Sequence, residues 1–211
     1  KKDARKLGKR PLTVVLIVTG RDELLSDVVE GTADIAAGNL TVTARRSEIV
    51  DFVVGGGAAS VRELVVTGPK SPEVQSVDDL SGRNFHARKV TSYYESLLAL
   101  NERLEKAGRK PLNIALLPDE IEDEDKLEML SAGLLEFVVV DDWKARMWAQ
   151  VLPKIKVRED LVLRDDGKIG WAIRKESPKL AAEIADFVEK VARPSMAGRL
   201  AKYHKRIRQI A

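Results

Sequence analysis

Short apolar runs alternate with amphipathic stretches along the chain, so the pattern predicts strands and helices in turn. "PLTVVLIV" (11–18) is an unbroken β-branched run, which predicts a strand buried on both faces. "DELLSDVVEG" carries Leu24, Leu25, Val28 and Val29 at helical spacing and stops at Gly31. "ADIAAG" returns to strand, so the opening predicts a β-α-β unit with a parallel pair. "VDFVVGGGAASVRELVVTG" predicts two extended runs around a glycine cluster, which reads as a flexible crossing. "SVDDLSG" predicts a capped turn, "NFHAR" a strand, and "TSYYESLLALNERLEKAG" a strong amphipathic helix ending at Gly108. "LNIALLP" and "LEFVVVD" predict strands around the helix "DEDKLEMLSAG", and "DWKARMWAQVLP" is a helix stopped near Pro153. "KIKVREDLV" and "KIGWAIRK" are extended. "SPKLAAEIADFVEKVA" is a helix with Ser177 as cap and Pro178 in first position, and "SMAGRLAKYHKRIRQIA" is a basic helix.

Two β/α units are visible, one before about residue 60 and one from about 80 to 145, whereas the tail has none of its own. The economical arrangement inserts a second lobe (62–167) into a discontinuous first lobe (1–61 and 168–211), with extended crossings near 54–66 and 162–172. Two open, mainly parallel sheets would then put their strand ends on one cleft, where ligands bind.

Composition narrows the class. The 211 residues are 44% hydrophobic and 33% charged with a net charge of +3, as expected for a globular protein. The charges are interspersed, which argues against a nucleic-acid surface. There are no cysteines, so disulfides and thiolate metal sites are excluded. No stretch is apolar enough to span a bilayer as a helix. "KKDARKLGKR" has neither an initiator Met nor a signal peptide, and reads as the start of an internal fragment.

"GTADIAAGNLTVTARRSEIVDF" (31–52) resembles the type 3 periplasmic solute-binding proteins: Gly, a spaced Asp, Leu-Thr-x-Thr, two residues, Arg, then a hydrophobic-Asp-Phe ending. "SVDDLSGRNFHARKVTSYYESL" resembles the opening of that family's second lobe, and "AGLLEFVVVDD" its later strand ending in Asp. The run from "RKVTSYYESL" to "VLPKIKV", with "KIGWAIRKESPKLAAEIADFVEK", is similar to the solute-binding-like domain of the membrane-bound lytic murein transglycosylase F group.

The resemblance implies an α/β, two-lobed periplasmic binding protein type II fold. It also implies a sensory domain that holds an amino acid or cell-wall peptide, in the periplasm of a parent attached to the outer membrane. The implied partner is a C-terminal, lysozyme-like catalytic domain of the same parent. Against the family pattern, a first strand and most of a helix are expected to be missing, and the catalytic glutamate is expected to lie beyond "RIRQIA". On that expectation the chain itself is not an enzyme. No cofactor, metal or nucleic acid is implied. The alternative is a stand-alone amino-acid receptor of an ABC transporter.

Arg46 matches the family arginine that clamps a ligand carboxylate, for which a planar guanidinium fork is suited; the other reading is a surface cation like Arg45. Asn39, Thr41 and Thr43 either line that site or cap a helix from about residue 44. Thr91 and Ser92 stand at the start of the long helix, as cap, as anion site, or as both. Tyr93 is expected in the cleft and Tyr94 in the core. Asp141 matches the carboxylate that pairs with a ligand ammonium, with Asp142 as competitor. "PDEIEDEDKLE" lacks calcium-loop spacing and reads as carboxylates on a helix dipole. "GGGAAS" is no phosphate loop. His86 and His204 do not suggest a metal, and Trp143, Trp148 and Trp171 are expected to pack.

Overall fold

The computed structural model describes residues 13–54 and 60–192. In chain order the elements are α1 (Leu24–Glu30), β1 (Ile35–Thr41), α2 (Ala44–Ile49), β2 (Val50–Val53) and β3 (Val61–Thr67). A short 3-10 turn (Val77–Leu80) leads to β4 (Asn84–Ala87), α3 (Ser92–Lys106), β5 (Asn113–Leu116) and α4 (Asp123–Ser131). Then come β6 (Phe137–Asp141), α5 (Asp142–Trp148), β7 (Lys156–Gly167), β8 (Ile169–Arg174) and α6 (Pro178–Phe187).

Local chemistry explains most boundaries. Val28 anchors α1, and Gly31 ends it in the left-handed region at φ 86. Thr91 caps α3 by accepting from the Tyr94 N–H at 3.3 Å. The helix buries Tyr93, Leu97, Leu100 and Leu104 along one stripe. Ser76 and Asp79 close a capping box around the short turn. Pro178 opens α6, but the Ser177 side chain makes no capping bond there.

The strands form sheets of order β1-β8-β2 and β6-β3-β7, with β4 and β5 as a separate pair. The expected mainly parallel character is not found: only β4 and β5 pair in parallel among the described strands. The chain leaves the first sheet through β2 and β3 and returns through β7 and β8. An outgoing and a returning crossing run in opposite directions, so β3 and β7 pair antiparallel. β8 then re-enters between β1 and β2, antiparallel to both. On the return side a single residue, Lys168, separates β7 from β8, and its carbonyl accepts from Val42 N–H at 2.8 Å. A Cβ added to Gly167 would stand 2.8 Å from the Val61 carbonyl oxygen, so this crossing needs glycine.

The apolar run 11–18 is not the buried strand that its composition predicts. Residues 13–20 contain no strand, and Val14, Val15, Leu16, Ile17 and Val18 are 51–98% exposed. An unbroken apolar run is buried as a strand only with neighbours on both edges and layers on both faces. The described first sheet ends at β1, so the parallel β-α-β pair does not form. The glycines of the first crossing and the basic helix from residue 195 lie outside the described residues.

The main core belongs to the inserted part: Val65, Phe85, Leu97, Leu127, Leu130, Phe137–Val140 and Leu161 pack in one cluster, with Phe85 and Phe137 stacked at 5.4 Å. Two smaller clusters lie on either side of the first sheet, one around Val28, Leu40 and Val50, the other around Ile173 and Ile184.

Candidate functional site

The turn from β1 into α2 puts polar side chains behind a buried strand. Asn39 sits at φ 51, where β1 slips register against β8, a bulge that turns the strand end. Thr43 is the N-cap of α2: its oxygen accepts from the Arg46 N–H at 3.2 Å, and its hydroxyl donates to Glu95 at 3.3 Å. That cap fixes the first turn of α2 and so aims Arg46, which is only 7% exposed, away from solvent. Arg45 remains exposed.

Both terminal nitrogens of the Arg46 fork are engaged within the protein. Nη1 donates to the Thr41 carbonyl at 2.8 Å, and Nη2 reaches the inserted lobe to donate to the Val90 carbonyl at 2.7 Å. Burial lowers the guanidinium below its ordinary range while Glu95 draws it back. With Thr43 and Glu95, Arg46 ties the two sheets together across the gap.

Between the sheets lies a narrow polar cavity of about 50 Å³. From the first lobe it is lined by Arg21, Asn39, Thr41 and Arg46; from the inserted lobe by Thr91, Ser92, Tyr93, Asp123, Asp141, Trp143 and Lys144. Seven of the eight residues singled out in the sequence line it; the eighth, Thr43, is the cap behind Arg46. Its open volume suits a few waters and is far below what an organic ligand occupies. The lobes must separate before anything larger enters.

Asp141 ends β6, opposite Glu63 of β3, and is 4% exposed. Its Oδ1 has no hydrogen-bond partner. Burial, reinforced by Glu63, pushes its carboxyl up to about 6, against a weaker opposing pull from Lys144. The Asp141 N–H donates to the Tyr93 hydroxyl at 3.3 Å, and burial holds that phenol neutral. Tyr94 packs on the core, as expected. Asp142 faces away, paired with Arg62 and Arg146.

Sequence reading missed Arg21, Asp123, Lys144 and Trp143. Arg21 donates to the Gly38 carbonyl at 3.1 Å. Trp143 lines the cavity instead of packing in the core, while Trp148 and Trp171 do pack. The acidic run is more than dipole complement. Asp125 closes a capping box with Glu122, but Asp123 is buried, with Lys144 Nζ at 2.6 Å, Lys126 Nζ at 2.9 Å and Arg88 Nη2 at 3.6 Å. Burial pushes the Asp123 carboxyl up, but the two lysines outweigh it and hold it well below its ordinary range. The available signal was a Lys three residues after Asp123 and another in the first turn of α5.

A wider depression of about 530 Å³ lies against β4 and β5, with Phe85, Ile114, Leu134 and Glu136 in its wall. Its carboxylate is already bonded to Asn84 at 3.1 Å, and no Lys or Arg lines it, so it lacks the convergent charges of the interlobe cavity. No group of three or more His, Asp or Glu among the described residues could hold a metal. No described helix is long and apolar enough to cross a membrane.

The family model of the bacterial extracellular solute-binding proteins, family 3, matches residues 1–206. A curated relative, the membrane-bound lytic murein transglycosylase F of Desulfosudis oleivorans, is 24% identical over 172 residues, 82% of this chain. The chain spans 36% of that relative's length. Among solved structures, the Streptococcus pneumoniae amino acid ABC transporter substrate-binding protein AbpA bound to L-arginine superposes with a TM-score of 0.70 at 20% identity, over 97% of this chain and 80% of that one. A Streptococcus mutans structure from work on glutathione import through GshT and a cystine importer gives 0.75 at 16% identity, over 96% and 83%. These likenesses establish the two-lobed type II fold.

Proposed function

We propose that this chain, which belongs to the bacterial extracellular solute-binding proteins of family 3, holds an amino acid or short cell-wall peptide between its lobes and serves as the sensory domain of a peptidoglycan lytic transglycosylase. Its lobes are residues 1–61 with 168–211, and 62–167. The separation of the buried clusters, one within 65–161 and two built from 28–53 and 171–188, supports that division. The parent acts in the periplasm, attached to the outer membrane, and ligand-driven closure changes the activity of a neighbouring catalytic domain. The relative that is itself a membrane-bound lytic transglycosylase supports this assignment.

The observation that carries the binding reading is the placement of Arg46 and Asp141 in one cavity, from opposite lobes. Arg46 takes the ligand carboxylate, exchanging its bond to the Val90 carbonyl for a charge-assisted one. Asp141, with a free oxygen, takes the ammonium. Thr41, Asn39, Thr91 and Ser92 add short polar groups, and Tyr93 a flat wall.

Calorimetric titration with single amino acids and with murein tri- and tetrapeptides tests this, repeated on Arg46→Ala. Peptide binding that weakens on the order of a hundredfold in the variant is expected. Binding that survives Arg46→Ala undamaged sinks the clamp. The second reading, a transport receptor, is favoured by the similarity to transporter-associated binding proteins; tight binding of one free amino acid and none of the peptides would establish it.

A further inference from the structure

The cavity has two kinds of carboxylate. Asp141 keeps an unpartnered Oδ1 although it is 4% exposed. Asp123 Oδ1 also lacks a well-directed hydrogen bond, but this carboxylate is committed as an ion pair: Lys144 and Lys126 stand 2.6 and 2.9 Å from its two oxygens, with Arg88 3.6 Å away. Around this one buried carboxylate stand three buried cations, and the other acidic neighbours, Glu122 and Glu124, are 48% and 39% exposed. Lys126 is enclosed, 1% exposed, and lies over the Tyr93 ring. Of the three cations, Lys144 alone is among the residues that line the cavity. An ammonium has three donors; Asp123 takes one, and Glu124 at 3.8 Å is beyond hydrogen-bond reach.

We infer that the end of the cleft formed by Asp123, Trp143 and Lys144 is a receptor for a second carboxylate on the ligand, with Lys144 Nζ as its donor. This rests on the cleft being the ligand site. The ligand class is then a zwitterion with one further carboxylate: an acidic amino acid, or a peptide with a free side-chain or terminal carboxylate beyond the one that Arg46 holds. The same accounting disfavours a cationic ligand. Asp141 can receive one ammonium, whereas the other carboxylate lining the cavity, Asp123, is already neutralised by Lys126 and Lys144. This chain therefore differs in side-chain preference from the arginine-bound protein whose fold it shares.

The test is competition between matched ligands on the 211-residue chain: L-glutamate against L-glutamine, a murein tripeptide with free carboxylates against its amidated form, and L-arginine alone. The wild type is expected to bind the carboxylate member of the pair it recognises tenfold or more tightly than the amide, as a charge-assisted hydrogen bond provides. Which pair binds separates a free amino acid from a peptide source. In Lys144→Gln that preference is expected to collapse towards unity. The wild-type comparison stands even if the variant proves unstable. Equal affinity for acid and amide, or tighter binding of L-arginine, overturns the second-carboxylate receptor and leaves the cleft assignment intact. Absence of binding by every probe overturns the cleft assignment, and this inference with it.

Discussion

Replacing Asp123 with asparagine removes the carboxylate on which two buried lysines depend. Its side chain is 4% exposed, that of Lys126 1% and that of Lys144 9%, so water cannot substitute for it. Removing one partner of a buried ion pair costs about 3–5 kcal/mol. An asparagine oxygen still accepts from one lysine, so the lower end, about 3 kcal/mol, is expected. For a chain of this size each kcal/mol moves Tm by about 2–4 °C, which gives a fall of roughly 6–12 °C in a thermal melt followed by circular dichroism at pH 7. Lys126→Met is the discriminating partner. It removes one of three cations and leaves Asp123 held by Lys144 and, more distantly, Arg88. Its own burial already lowers the Lys126 ammonium below its ordinary range, so a methionine of similar shape is expected to cost no more than about 1 kcal/mol. A Lys126→Met variant as unstable as Asp123→Asn would refute the assignment of Asp123 as the group on which the cluster rests. The pH dependence has a definite sign. A carboxyl held below its ordinary value of 3.8 stabilises the fold above that value and ceases to as pH falls further. The gap between wild type and Asp123→Asn should therefore narrow only below pH 3.8.

Asp141 behaves in the opposite sense. Its carboxyl titrates near 6, so binding of a ligand ammonium is expected to weaken, by at most about tenfold per pH unit, as pH falls below 6; flat affinity between pH 7.5 and 5 in calorimetry would exclude it as the ammonium partner. A raised value means that ionisation above pH 6 works against the fold, so Asp141→Asn should stabilise the unliganded chain there, by up to about 3 kcal/mol, while losing ligand. Thr43→Val removes the cap of α2 and the bridge to Glu95 and should cost about 1 kcal/mol in urea unfolding; no change would show that the cap is redundant. Phe137→Ala, at 0% exposure and stacked on Phe85, should cost about 3–5 kcal/mol in the same assay.

Local signals were legible where chemistry is local. Glycines at helix ends, the Thr91 cap and the stripe of α3 follow from residues within one or two turns of each other. Pairing direction was not legible, because it depends on which way the chain travels when it returns, and β8 enters a sheet whose other strands lie more than a hundred residues earlier. The run Val14–Val18 has the composition of a buried strand, but composition does not supply the neighbours that burial requires. In the site, the turn Thr41–Arg46 was readable because cap and cation fall within a short stretch, whereas the bulge at Asn39 was not. Asp123 and Lys144 were not: they are twenty-one residues apart, each on a charged helix start that resembles ordinary dipole complement. Only packing α4 beside α5 makes them one group.

The return crossing of one residue sets the mechanics of the cleft. The β3–β7 ladder extends to Val61 and Gly167, and β8 begins at Ile169. With consecutive Cα atoms about 3.8 Å apart, Lys168 is a tether too short for the two bodies to slide past each other. A connection of one residue leaves rotation about that point as the movement it permits. Arg46 stands close to that point, because its Nη1 bonds the Thr41 carbonyl and Thr41 pairs with Ile169, so a small rotation there displaces its fork little and the gap opens most at cavity residues farther from Lys168. The Arg46–Val90 bond spans the gap from both sides, so it is the latch that must break before the cleft can open.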